Sequence, residues 1–222
     1  MLTVSEKQAS VRDLLMARSG VYHQSAYETG EMKKTRPERG SHPHGSFWFY
    51  NNWDFNALGT IYRTETGEDI FASFNRRIAE PIGFEDFSVS ACRFVFESVS
   101  RHPAYLFSLS ARDMARFGLL IAQHGRWGDT SVVPSAWLDE ATKPYSTTNR
   151  GGLGYGYLWW VLPAAEWGEG AILASGHGGQ YVAIIPQKHL VATETADIDH
   201  GGKRIHTHQF LAFLKKALVD IK

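Results

Sequence analysis

The order of helical and strand patterns along the chain is the feature that most limits its fold. Up to about residue 150, apolar residues recur at helical spacing, and capping residues precede several of these runs. From about residue 151 the pattern changes to short apolar runs of strand length, and the chain ends in an amphipathic helix. Helices followed by a meander of strands and a closing helix predict an α+β fold, with helices packed on an antiparallel sheet.

Capping residues and glycines set the expected boundaries of the helical region. Ser10 and Asp13 form a capping pattern, and the helix that they open is predicted to end at Gly20. Residues 22–45 are polar and rich in glycine and proline, which predicts a long irregular loop. Loops of that length are usually functional or mobile. A longer helix is then predicted to end at Gly67.

The strand region contains three predicted strands. Residues 155–161 are expected to form one aromatic strand, and residues 181–185 and 190–193 are expected to form a hairpin. The last helix is predicted to bury one face, which includes Phe210 and Phe213.

Composition excludes several classes of function. The 222 residues carry a formal net charge of zero, so neither nucleic acid nor an anionic membrane is an expected partner. No apolar run reaches the length of a membrane span, and the N-terminus lacks the apolar core of a signal peptide. The single Cys92 excludes an intramolecular disulfide. Aromatic residues make up 13% of the chain, which favours either a large core or a deep apolar cleft.

One aromatic stretch, residues 47–59, places a phenol beside a carboxamide. Tyr50 and Asn52 lie two positions apart, so both project to the same side if the backbone is extended there. A phenol can transfer a proton if its pKa is lowered, and the amide offers both donors and an acceptor. The alternative interpretation is an aromatic core segment with a helix cap.

A second short stretch surrounds a histidine with small residues, just before an apolar strand. In it, His177, Gly178, Gly179 and Gln180 follow one another, and glycines allow a close approach of the backbone to another group. The backbone N–H of Gln180 is suited to bind an oxyanion. The alternative is a glycine-rich turn with an exposed histidine.

Other histidines do not predict a metal site. His42 and His44 lack a third ligand nearby, and His200, His206 and His208 have mixed spacing near the last helix, so both groups are interpreted as surface histidines. We therefore expect neither a metal nor an organic cofactor.

Five motifs in order along the chain resemble those of one enzyme family. They are the helix and Ser-Gly of residues 11–20, the Tyr-x-Asn of residues 50–52, the turn of residues 81–84, the capped helix of residues 108–118, and the His-Gly-Gly of residues 177–179. Each is weak alone, but their order and spacing are specific. The chain resembles the serine β-lactamase-related family, which comprises class C β-lactamases, their esterase relatives and DD-peptidases.

The resemblance implies acyl transfer to a serine, followed by hydrolysis of the acyl-enzyme. Tyr50 would be the base for the nucleophile and the acid for the leaving group, and Asn52 would hold the substrate amide or a lysine. His177 would line the opposite wall, and the N–H of Gln180 would form half of the oxyanion hole. The implied substrate is a small ester, amide, lactam or peptide-like molecule.

The sequence departs from the family at the nucleophile. No serine in the chain is followed three residues later by lysine, although the family attacks with a Ser-x-x-Lys serine. By resemblance that motif would precede Met1. Residues 1–222 are therefore predicted to be a single incomplete domain: about 1–150 mainly helical, and about 151–222 antiparallel strands with a C-terminal helix. The chain is either a fragment of a complete hydrolase or a non-catalytic pseudoenzyme that binds a ligand in the same cleft.

Two further expectations follow from the resemblance. An incomplete domain should leave an apolar surface or an unpaired sheet edge, so we expect an oligomer or a completing polypeptide. Histidine stands at position 177, where many relatives have lysine, and is mostly uncharged near neutral pH. This favours esters or amides that lack the carboxylate of β-lactam antibiotics. Relatives are often exported by a signal that would also precede Met1, so the sequence leaves the compartment open.

Overall fold

The computed structural model describes residues 1–198 and 200–220. The α-helices are α1 (Val11–Leu15), α2 (Gly30–Thr35), α3 (Asn52–Thr66), α4 (Ile70–Phe74), α5 (Ala111–Ala122), α6 (Ser135–Ala141), α7 (Ala164–Trp167) and α8 (Thr207–Asp220). The strands are β1 (Arg93–Val95), β2 (Ala104–Leu106), β3 (Arg126–Trp127), β4 (Thr130–Ser131), β5 (Ser146–Thr147), β6 (Gly154–Tyr155), β7 (Trp160–Val161), β8 (Ile172–Gly176), β9 (Gln180–Ile185) and β10 (Leu190–Glu194).

Six strands form one antiparallel sheet whose spatial order, β10-β9-β8-β7-β6-β5, follows the chain. Every connection within the sheet therefore joins neighbouring strands. Among the residues that the structure describes, β10 has a strand beside it on one side only. The predicted α+β fold is confirmed, and so is the hairpin of β9 and β10.

Strand β9 is buried on both faces because a different helix covers each of them. Val182 and Ile184 belong to an apolar cluster that includes Met114 of α5. Tyr181 faces the other way and stacks on Phe210 of α8, with the ring centroids 4.7 Å apart. Side chains alternate along a strand, so α5 and α8 enclose the sheet from opposite sides.

The C-terminal helix is confirmed, but one of its predicted core residues is wrong. Phe210 and Leu214 are buried, whereas 67% of Phe213 is exposed. Phe210 and Leu214 lie four positions apart, which keeps them on one face of the helix, and Phe213 lies beside that face.

Two predicted boundaries near the N-terminus are also wrong. Helix α1 ends at Leu15 instead of Gly20, because Ala17 takes a left-handed φ of 53° and its carbonyl accepts a hydrogen bond from the Phe49 N–H at 2.9 Å. The predicted loop of residues 22–45 contains the short helix α2, whose N-terminus is capped by the Thr29 side chain. Helix α3, in contrast, ends as predicted at Gly67, which has a φ of 69°.

Residues 155–161 form two strands, β6 and β7, instead of the single predicted strand. Leu158 takes a left-handed φ of 62°, and the Gly156 N–H donates to the Trp159 carbonyl at 2.8 Å, so the chain reverses within this segment. The reversal puts Trp160 in the core under α8 and leaves Trp159 stacked on Phe117 of α5.

The close approach of α5 to the sheet depends on Gly118. A Cβ at this position would lie 2.5 Å from a methyl group of Val191 and 2.9 Å from one of Val182. A side chain there would push the helix away from β9 and β10, so the absence of a side chain sets the spacing between helix and sheet.

We expect Gly118→Ala to lower the free energy of unfolding by about 1–2 kcal/mol, because overpacking outweighs the gain of about 1 kcal/mol in helix propensity. Urea unfolding measures the change. Gly30→Ala is the matched control, since a Cβ there meets nothing within 4 Å and the residue has no positive φ. A Gly118→Ala variant as stable as the control would show that the helix and sheet can separate at little cost.

Candidate active site

A cavity of about 910 Å³, here called the central cavity, lies between the start of α3, strand β2, the sheet and α8. Its lining includes Tyr50, Asn52 and His177, which come from separate segments of the chain. Aromatic side chains form much of the remaining wall: Tyr27, Phe55, Tyr105, Trp160 and Trp167. Gly178, Gly179 and Gln180 are not among the lining residues.

Tyr50 lies at the end of the aromatic stretch, just before α3. Its half-buried ring packs against Phe55 and Trp160, with centroid distances of 4.9 Å and 5.3 Å. Burial raises the pKa of the phenol above its ordinary value, and the Arg150 guanidinium, which lies 5.1 Å above the ring, opposes that increase. The phenol is therefore a neutral hydrogen-bond donor at neutral pH in this arrangement.

Asn52 faces the central cavity because its neighbour, Asn51, serves as the helix cap. The Asn51 side-chain oxygen accepts from the Asp54 N–H at 2.9 Å, which satisfies a free donor of the first turn. The Asn52 amide donates to the Tyr27 carbonyl at 2.5 Å. The sequence allowed a helix cap in this stretch, and the structure assigns that role to position 51.

His177 lies in the turn between β8 and β9 and is exposed on the wall of the central cavity. Its ring contacts the edge of the Tyr27 ring at a centroid distance of 5.1 Å. Tyr27 in turn touches both Asn52 and His177, so the three residues form a continuous wall.

The residues after His177 have a clear packing role. Gly178 and Gly179 have φ values of 83° and 98°, and a Cβ on either would collide with Ile198 or with the backbone of Ile205. The Gln180 side chain pairs with the Ala196 backbone through bonds of 2.8 Å and 3.2 Å. These contacts account for glycine at positions 178 and 179 and for the glutamine side chain at position 180. The oxyanion role of the Gln180 N–H stays a prediction.

Sequence reasoning missed Tyr27 and Arg150. Tyr27 takes a left-handed φ of 61°, which is strained for a residue with a side chain, and its N–H donates to Glu97 at 3.0 Å. Its only sequence signal was its place in the long polar loop. No pattern in the sequence indicated that Arg150 would lie over two aromatic rings.

A buried carboxyl group supports the start of α3 from behind. Asp54 is fully buried, and the Ser19 hydroxyl donates to it at 2.5 Å. Burial raises the pKa of Asp54 to about 7, and the hydrogen bonds from Ser19 and Asn51 limit that increase. The nearby Tyr22 hydroxyl is buried, and the pKa of Tyr22 rises to about 12, mainly because of burial and also because of Asp54.

The described residues 1–198 and 200–220 contain no group of three or more His, Cys, Asp or Glu side chains arranged to hold a metal ion. Within the same residues, none of the helices is long and apolar enough to cross a membrane.

Comparison with known proteins identifies the family. The model of the family described as Beta-lactamase matches residues 2–213. The chain belongs to the beta-lactamase family. No curated protein matches it in sequence.

Solved structures of this family share the fold at low sequence identity. A provisionally named 6-aminohexanoate-dimer hydrolase from Bacillus anthracis has a TM-score of 0.69 at 20% identity, and the match covers 96% of this chain and 61% of that protein. The octameric penicillin-binding protein homologue from Pyrococcus abyssi has a TM-score of 0.60 at 19% identity, with 83% and 51% covered. A penicillin-binding protein from Bacillus halodurans has a TM-score of 0.61 at 16% identity, with 97% and 74% covered. The chain thus spans about three fifths and one half of the first two proteins.

We expect Asp54→Asn to remove a dependence of stability on pH. The pKa of this group is higher in the folded state than in the unfolded state, so its contribution to stability is present at low pH and is lost as pH rises through about 7. Between about pH 5 and pH 8, the stability of Asp54→Asn relative to wild type should increase by on the order of 2 kcal/mol. Urea unfolding at the two pH values measures it.

Ser19→Ala is the matched control. It keeps the carboxyl group but removes its hydroxyl donor, so its loss of stability should be larger at the higher pH. If Asp54→Asn has the same stability relative to wild type at both pH values, Asp54 does not titrate as its burial requires.

Proposed function

We propose that this chain carries part of the acyl-transfer site of a serine hydrolase that cleaves an ester, amide or lactam. The observation that supports it is that Tyr50, Asn52 and His177 line one cavity, although Asn52 and His177 lie in distant parts of the sequence. The family of the chain and its fold agree with this chemistry.

In the proposed reaction, Tyr50 accepts the proton of the attacking serine and then donates it to the leaving group. Asn52 donates to the carbonyl side of the substrate, for which it must exchange its bond to the Tyr27 carbonyl. His177 closes the opposite wall, and the Gln180 N–H contributes to the oxyanion hole.

Proton transfer by Tyr50 needs a cation beside the phenol. In the chain alone burial raises the pKa of Tyr50 despite the presence of Arg150. A phenol with a raised pKa is a poor base near neutral pH. The missing charge would come from the lysine of a Ser-x-x-Lys segment, supplied by a longer polypeptide or a completing partner. An oligomer is the other form in which a second chain could reach the site.

The second candidate is a non-catalytic module that binds a ligand in the central cavity. Two observations favour it: no serine in the chain is followed three residues later by lysine, and the Tyr50 phenol has a raised pKa. In this case Tyr50 and Asn52 act only as hydrogen-bond donors to a peptide-like or cell-wall-like ligand.

The test compares the chain alone with a version extended by the coding sequence upstream of Met1. We expect a fluorophosphonate or a penicillin to label only a version that contains an in-frame Ser-x-x-Lys. Mass spectrometry of the intact protein measures the labelling. Stoichiometric labelling of any serine in the chain alone would overturn the assignment of the nucleophile, and a stop codon directly upstream would favour the binding module.

In the active form, Tyr50→Phe should lower the rate of p-nitrophenyl ester hydrolysis by about 100-fold or more, because the proton carrier is lost. Tyr145→Phe is the matched control, since Tyr145 is also partly buried but lies outside the lining of the central cavity. Equal rates in the two variants would exclude Tyr50 as the proton carrier.

Histidine at position 177 predicts the preferred substrate. Without a permanent charge in this turn, the active form should cleave p-nitrophenyl esters faster than cephalosporins, when kcat/KM values are compared at neutral pH. A preference for cephalosporins would contradict the proposed role of His177, and a His177→Lys variant should shift the ratio towards them.

A further inference from the structure

Arg150 occupies an unusual position for an arginine with no acidic partner. Its guanidinium carbon lies 5.1 Å from the ring centre of Tyr50 and 5.5 Å from that of Trp160, and the residue is exposed in the lining of the central cavity. A guanidinium over an aromatic face is attracted by the ring and is held in a defined place. The N–H groups at the edge of the planar guanidinium remain available to donate hydrogen bonds to a ligand.

The charges around the central cavity leave this guanidinium available. The acidic residues of the lining are Glu31 and Glu166, and Glu166 forms an ion pair with Lys215. Within residues 1–198 and 200–220, no carboxylate lies within 4.0 Å of the Arg150 side chain, and the guanidinium makes no hydrogen bond. The hydrogen bonds of this residue are made by its backbone, whose N–H donates to the Thr148 hydroxyl and whose carbonyl accepts from the Leu153 N–H. The remaining lining cation without an ion pair in this range is Arg204.

We propose that Arg150 is the anion-binding residue of the central cavity and holds the carboxylate of a ligand whose apolar part lies against the aromatic wall. Arginine binds carboxylates through two parallel N–H···O bonds, and such charge-assisted bonds are stronger than neutral ones. The rings of Tyr50 and Trp160 exclude water from one face of the guanidinium, which strengthens its attraction for an anion.

The proposed anion site at Arg150 lies apart from the turn that carries His177. That turn has no permanent positive charge, whereas Arg150 follows residue 147 at the end of β5 and lies over Tyr50. The cavity thus selects ligands whose carboxylate lies beside Tyr50, instead of beside the β8–β9 turn. The binding does not depend on the acyl transfer proposed above, so a failure of one leaves the other unaffected.

The test uses the full chain and a matched pair of ligands, 3-phenylpropionate and 3-phenylpropionamide, which differ only in charge and hydrogen bonding at one end. Isothermal titration calorimetry at low salt should show that the carboxylate binds about tenfold more tightly than the amide. Arg150→Gln should reduce this ratio to about one, and Arg150→Lys should keep only part of it, because lysine lacks the planar fork.

Arg204→Gln is the matched control, because it removes a second lining cation by the same change. It should leave the ratio of the two affinities nearly unchanged. An equal loss in both variants would show that only the general positive field attracts the ligand and would overturn the assignment. So would equal affinity of wild type for both ligands, or no binding of either at about 20 mM.

Discussion

The first turn of α3 is the constraint on which the rest of the site depends. Asn51 caps this turn, and two of its side chains tie it to earlier parts of the chain: Asn52 donates to the carbonyl of Tyr27, and the buried Asp54 accepts from the Ser19 hydroxyl. Because each of these bonds uses a different side chain, the turn cannot rotate without breaking at least one of them. Tyr50, which immediately precedes the turn, inherits its position from this network.

Structural features that depend on neighbouring residues in the sequence were predicted well. The order of helices and strands followed from periodicity, and Gly67 ended α3 where expected. The sequence did not indicate which residues with side chains would take positive φ values. As a result, the end of α1 near Ala17 and the break between two strands at Leu158 were not predicted. These conformations are stabilised by tertiary contacts, such as the bond from Phe49 to Ala17, that no local pattern encodes.

The candidate site shows the same division between local and long-range information. Tyr50, Asn52 and His177 were chosen from motif and resemblance, and all three line the central cavity, while their chemical roles stay predictions. Arg150 was missed because its position depends on the fold of the chain after β5, which brings it over Tyr50 and Trp160. The direction of the Tyr50 pKa shift also depends on the fold, since burial of the ring raises a pKa that the proposed chemistry requires to be low.

Strand β10 has a consequence for any measurement made on this protein. It is five residues long and, within the described part of the chain, is paired on one side only, so it offers a row of backbone donors and acceptors to a second molecule. Self-association through such a row is governed by mass action. Melting temperatures measured at different protein concentrations would then differ even though the fold of each copy is the same. The protein concentration must therefore be held fixed when the stabilities of variants are compared.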